Sequence, residues 1–242
     1  MVEKPSEPEA QNQISLRNFL TYDHPDRENL QKLIELERQT NPGRLPQRFS
    51  DRWRDKFYDR YGADRGKRPS AWEKLGPFFE QKLKGDILID LGGGDSRTIH
   101  EMADIVGVKT YINVDVGSDN DPYAGHPMPA ENYWRLSNEQ REIPMEAMDV
   151  YDDMLDFVSR LPDNSSNFIL NGIDSYVLKN EEYRKALFKE LVRATKEGGV
   201  LFGFESDIWQ NDPRLKSVAE EFGLDTKSWG SSYAVFEKIK KK

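Results

Sequence analysis

The sequence predicts an α/β fold: a three-layer sandwich around a mostly parallel sheet of about seven strands, the last antiparallel, behind an N-terminal helical extension. Three observations predict it. From residue 86 onward, short apolar runs alternate with stretches of helical period, the pattern of strand–helix–strand units. The first of these runs, Ile87–Leu91, opens directly into Gly92, Gly93 and Gly94. A length of 242 residues suits one large domain, or one domain with an extension.

Taken in order, residues 1–15 have little to bury and are expected to be disordered. Residues 16–74 are expected to form the helical extension and 75–242 the α/β domain. In the extension, Asp23 can cap a helix over 25–39, Pro25 suits its first turn, and Asn41-Pro42-Gly43 stops it. Leu30, Leu33 and Ile34 share one face of it. A second helix over 50–61 carries Trp53, Phe57 and Tyr61 in one stripe, with Gly62 as its stop. Ser70-Ala71-Trp72-Glu73 reads as a capping box. The helix it opens is expected to break or restart at Gly76-Pro77, with Phe78, Phe79 and Leu83 facing inward.

In the main domain the strands are expected at Ile87–Leu91, 110–116, 145–150, Asn167–Asn171, 200–205 and 233–239. Between them fall helices over 98–106, 152–161, 181–196 and 213–222, with Gly198-Gly199 turning into the fifth strand. Right-handed crossovers leave few topologies for such a string.

Composition narrows the function. There is no cysteine, which removes disulfides and every cysteine-based metal site or nucleophile. His24, His100 and His126 stand at no ligand spacing, so no metal site is expected. No apolar run nears the roughly 20 residues of a membrane span, and residues 1–13 lack an export pattern, so a cytoplasmic protein without a membrane partner is expected. The net charge of −8 is uneven: residues 1–85 hold 17 Lys and Arg against 14 Asp and Glu, and the rest hold 18 against 29. An acidic main body disfavours a nucleic-acid partner, because phosphate-backbone binding rests on a basic face. The basic stretch 44–74 is interleaved with acids and reads as a solvated helix face.

The Gly92-Gly93-Gly94 segment carries most of the chemistry. Glycine takes positive φ and lets a ligand approach the backbone, while a following helix offers free amides. In open α/β sheets, ligands bind at the carboxyl ends of the strands, where this loop lies. Asp115, 19 residues after Ser96, ends the second strand, from where an acid can accept both hydroxyls of an adenosine ribose. Dinucleotides set a pyrophosphate against such a loop, and Asp90, Asp95 and Asp115 would repel it. Arg97 also replaces the third glycine of the dinucleotide pattern. A ligand with ribose, amine and sulfonium but no phosphate fits better.

Asp90-Leu91-Gly92-Gly93-Gly94-Asp95-Ser96 resembles motif I of the class I S-adenosylmethionine-dependent methyltransferases, Asp/Glu-x-Gly-x-Gly-x-Gly. Ser96 stands where the family has its last glycine. Val114-Asp115-Val116 looks like the acidic end of that family's second strand, and Met148-Asp149-Val150 its adenine-facing pair. The stretch from Leu161-Pro162-Asp163 to Phe168 is similar to the approach to strand four. Leu191 to Leu201, with its Gly198-Gly199 turn, is similar to the approach to strand five. The resemblance covers about residues 75–240 in the right order. It implies a Rossmann-like fold with S-adenosyl-L-methionine as cofactor. Asp90 would orient the methionyl amine directly or through water, with Gly92, Gly93 and Gly94 passing beneath. Asp115 with Val116 would hold the ribose side, Asp149 and Val150 the adenine, and Asn171 would border the cofactor. The plainer alternative for Asp90 and Asp115 is to cap a following helix or turn, and for Asp149 to cap the helix over 152–161.

Methyl transfer from a sulfonium needs positioning and exclusion of water, and a base only if the acceptor loses a proton. The base candidates are Asp174, which could instead cap a helix, and His126, which could instead be a hydrogen-bonded surface residue. His126 lies in the long connection 117–144 with Tyr123, Tyr133, Trp134 and Arg135, a length typical of binding loops. Residues 205–209 follow strand five on the acceptor side. Tyr58, Arg60, Tyr61 and Arg68 of the extension could close over the methionyl carboxylate or simply pack and be solvated. A methyltransferase acting on a small-molecule acceptor is the leading expectation. A non-catalytic S-adenosylmethionine-binding or scaffold protein is the alternative, and an NAD-dependent oxidoreductase is disfavoured by the acids.

Overall fold

Four apolar residues out of five make Ile87–Leu91 a strand fit for burial on both faces, the condition of a central strand in a parallel sheet. The computed structural model of the protein describes residues 19–40, 71–93, 97–116, 145–171, 178–204, 224–228 and 233–239. Among them the chain runs α1 (Arg27–Thr40), α2 (Ala71–Leu83), β1 (Ile87–Leu91), α3 (Arg97–Val106), β2 (Thr110–Asp115) and β3 (Glu146–Tyr151). It continues as α4 (Met154–Ser159), β4 (Asn167–Asn171), α5 (Glu181–Ala194), β5 (Val200–Phe204), β6 (Leu224–Ser228) and β7 (Tyr233–Lys238).

The described strands form one sheet in the order β3-β2-β1-β4-β5-β7-β6. β1 to β5 are mutually parallel, and β7 runs antiparallel to both β5 and β6. This is the Rossmann-like order, and with an antiparallel β7 it is the fold class implied by the methyltransferase resemblance. The chain winds outward from β1 to β3, then returns to lay β4 on the other side of β1. The strand order therefore reverses between β1 and β4, the switch point at which such sheets bind ligands.

Strand alternation gives the sheet two apolar faces. One carries Ile89, Leu91, Ile112 and Val114 against α4 and α5, with Leu30 and Ile34 of α1 in the same cluster. The other carries Leu88, Tyr111, Ala147 and Ile169 against Phe79 and Leu83 of α2 and Ile99, Met102 and Val106 of α3. Each buried Val, Leu, Ile, Phe or Met among them contributes about 1.5–3 kcal/mol by leaving water. None of the described helices is long and apolar enough to cross a membrane.

Polar anchors fix α1 to the domain. The buried Glu37 carboxylate accepts the backbone N–H groups of Lys179 (3.2 Å) and Asn180 (2.8 Å), just before α5. Ahead of α1, His24 Nε2 lies 3.0 Å from Glu190 Oε1, and Arg193 Nε donates to Glu190 Oε2 at 2.7 Å. The Arg193 guanidinium stacks 4.1 Å from the Tyr22 ring centroid.

Several boundaries depart from expectation for physical reasons. α1 starts at Arg27, where the carbonyls of His24 and Asp26 accept its first N–H groups. α2 passes through Gly76-Pro77 without a break. Pro77 forfeits one backbone hydrogen bond there, but Phe79, packed edge-on against Phe202 with centroids 5.1 Å apart, holds the helix to the sheet. The seventh strand is β6, Leu-Asp-Thr-Lys-Ser, whose polar sequence concealed it; an edge strand bonded only to β7 tolerates such residues. The helices expected over 50–61 and 213–222, and the tail 1–15, lie outside the described residues.

Candidate functional site

The loop after β1 is built by close approach. Gly92 has φ +71°, a conformation that favours glycine, and its N–H donates to the Val114 carbonyl at 2.7 Å, tying the turn to the end of β2. Gly93 lies directly on two side chains. A Cβ there would stand 2.5 Å from Asn113 Oδ1 and 2.7 Å from Asp90 Oδ2, distances no real Cβ tolerates.

Asp90 lies beneath that turn and is fully buried. Its Oδ2 accepts the phenolic O–H of Tyr111 at 2.9 Å. Tyr111 is itself buried, with the His100 ring of α3 edge-on to it at 5.3 Å. The register sets Asp90 beside Asn113 of β2, and Asn113 beside the position of Asp149 on β3. A polar row thus crosses three neighbouring strands just below the glycine turn.

Asp115 ends β2, half-buried, and its carbonyl accepts the N–H of Asp152 at 2.9 Å. Asp152 follows β3 and pairs with the Arg160 guanidinium. Burial pushes the Asp152 carboxyl up to about 6, against the pull of Arg160. Asp153 is the N-cap of α4, accepting the N–H of Leu155 at 2.8 Å and the Tyr183 O–H at 2.7 Å. The capping task once open to Asp149 is therefore filled by Asp153.

Of the expected cofactor residues, Asp90, Gly92, Gly93, Asp115 and Val116 come together at the ends of β1 and β2. Asn171 ends β4, one residue beyond the pairing of Leu91 with Leu170, across the switch point from the glycine turn. Val150 is buried among Ile112, Val114 and Leu155, in the core layer on the opposite side of the sheet from Tyr111. Gly94, His126 and Asp174 lie outside the described residues, as do 117–144, 205–209 and Tyr58, Arg60, Tyr61 and Arg68. Sequence reasoning passed over His100, Tyr111, Asn113 and Asp152. The signal for Asn113 was a polar residue inside the apolar run Tyr111-Ile112-Asn113-Val114; the others emerge only once the strands are aligned.

No family model and no curated protein matches the sequence. Among solved structures, the antibiotic-resistance methyltransferase Kmr is 18% identical, with a TM-score of 0.42 over 69% of this chain and 93% of its own. An rRNA methylase from Streptococcus thermophilus is 14% identical, with a TM-score of 0.43 over 73% of this chain and all of its own. Spermidine synthase from Thermotoga maritima is 17% identical, with a TM-score of 0.40 over 67% of this chain and 55% of its own. At such identities the likeness concerns the fold alone, and the reading of the site rests on its own residues.

Proposed function

We propose that the protein is an S-adenosyl-L-methionine-dependent methyltransferase whose site lies in the 75–242 domain, with 16–74 as its helical extension. The observation that carries this reading is the glycine turn at the switch point, seated on Asp90 and Asn113 and flanked by Asp115 and Asp152. Carboxylates at the ends of neighbouring strands disfavour a diphosphate and favour a ligand bearing a cation and hydroxyls. The donor set therefore fits an adenosyl sulfonium. Asp115 would hold the ribose hydroxyls, and the Gly92-Gly93 backbone with Asp90 beneath it would receive the methionyl end. Asp149 would serve the adenine and Asn171 would border the cofactor from β4. When bound, the cofactor supplies a methyl group on an already activated leaving group. The chain's part is to orient it and keep water away, with Asp174 or His126 as base if the acceptor must lose a proton.

The acidic balance beyond residue 85 favours a small-molecule acceptor. The test is transfer of labelled methyl from S-adenosylmethionine to a small-molecule extract and, in parallel, to RNA. Labelling of a small-molecule fraction is the expected outcome; labelling of RNA alone would overturn the acceptor class, and none in either would leave a binding protein. Ser96, in place of the motif's last glycine, is the feature that favours this second, non-catalytic reading. Asp115→Ala should weaken S-adenosylmethionine binding by about 1–3 kcal/mol, the cost of leaving ligand hydroxyls unpaired. Unchanged affinity by calorimetry would remove Asp115 from the ribose.

A further inference from the structure

A Cβ on Gly93 would stand 2.7 Å from Asp90 Oδ2, so the glycine turn passes close over that carboxylate. The geometry points to Tyr111 as a positioning residue: its hydroxyl, bonded to Asp90 Oδ2, sets the orientation of that carboxylate and thereby the seat of the Gly92-Gly93 turn. The role rests on the adenosyl-site reading above and concerns a residue that does not itself reach the ligand.

Two features support it. The Tyr111 ring cannot swing away, because it is 1% exposed and His100 of α3 stands edge-on against it. The turn also crosses close to the carboxylate, because a Gly93 Cβ would stand only 2.7 Å from Asp90 Oδ2, so the position of that oxygen bears on how closely the loop can approach. Asn113 flanks Asp90 on β2, Asp115 lies further along that strand, His100 approaches from α3, and the β4 partner is the apolar Ile169. A donated O–H also stabilises the ionised carboxylate in a buried setting.

A second buried tyrosine supplies the control. Tyr183 donates to Asp153 Oδ1 at 2.7 Å, the same pair of groups, but there it supports the N-cap of α4. Tyr111→Phe and Tyr183→Phe each remove one hydroxyl and keep the ring. The full-length variants are compared by calorimetry with S-adenosylhomocysteine and by carboxyl-carbon NMR titration of Asp90. Tyr111→Phe should bind about tenfold more weakly and raise the Asp90 titration midpoint. Tyr183→Phe should lower the melting temperature and leave both readouts where they were. If the wild type binds and Tyr111→Phe matches it in affinity and in the Asp90 titration, the positioning role is wrong while the adenosyl reading survives. If the wild type fails to bind, the adenosyl reading falls, and the positioning of the ligand turn falls with it, whereas a shifted Asp90 titration would keep only the Tyr111–Asp90 coupling.

Discussion

The two ends of the parallel strands use the same device for different purposes. At the carboxyl end, Gly93 is pressed onto Asn113 Oδ1; at the amino end, a Cβ on Gly199 would stand 2.6 Å from Asn167 Oδ1. Around Gly199 the side chains close a structural knot. Asn167 Oδ1 accepts the N–H of Val200 at 2.9 Å, and its amide donates to the Ile87 carbonyl at 3.3 Å. Lys82 pairs with Glu237 and Lys196 with Asp86. Lys238 donates to the carbonyls of Val192, Arg193 and Thr195, the C-terminal end of α5, where a cation also suits the helix dipole. A polar groove of about 450 Å³ opens there, yet these charges along it are matched within the protein.

Around Gly93 the balance differs. Asp90, Asp115 and Asp152 lie at or beside three adjacent strand ends, and Arg160 pairs with Asp152. Asp90 is bonded by a neutral phenol. One end is arranged to hold the fold together, and the other brings acids to the ends of neighbouring strands. At Asp152 burial raises the carboxyl to about 6, against the pull of Arg160.

That shift makes the largest test of the contrast. A carboxyl whose folded value is raised stabilises in full below its unfolded value near 4, and that contribution is lost as pH rises through about 6. Unfolding free energy from chemical denaturation should therefore fall by about 2–3 kcal/mol from this group between pH 4 and pH 8. Asp152→Asn should flatten that portion of the profile. An unaltered profile would mean that Asp152 is better solvated than its surroundings indicate.

The glycine pair comes next. Gly93→Ala and Gly199→Ala should each destabilise by about 1–3 kcal/mol, because a methyl is forced into filled space. Only Gly93→Ala should also weaken S-adenosylhomocysteine binding. Equal binding losses in the two variants would erase the distinction between the ends. Smallest is Lys238→Met, which removes the ammonium from three carbonyls while keeping the stem. It should cost about 1–2 kcal/mol in thermal unfolding and leave ligand affinity unchanged. No loss would show that water replaces the ammonium at the end of α5.

The same contrast explains what could be read from the chain beforehand. The glycine turn, the strands beside it and the acid ending β2 were legible because they depend on neighbours within a few residues: an apolar run, then glycines, then a helix. β6 was not, because Asp225 and Lys227 in a five-residue edge strand leave no apolar alternation. The unbroken α2 was not either, since the cost of Pro77 is local while the packing of Phe79 on Phe202 that offsets it spans over a hundred residues. Tyr111 read as an ordinary strand residue. Its bond to Asp90 and its contact with His100 exist only after β1, β2 and α3 have been brought together. Asp152 looked like a helix start, and the cap proved to be Asp153; nothing in the sequence states how far burial moves a titration.

The central claim is that the Gly93 end of the sheet accepts an adenosyl ligand without phosphate. Parallel calorimetric titrations of the full-length protein with S-adenosylhomocysteine and with NAD test it most directly. The account predicts saturable binding of S-adenosylhomocysteine and none of NAD at the same concentrations. Tighter binding of NAD would contradict it, because a diphosphate would then be at home beside Asp90, Asp115 and Asp152.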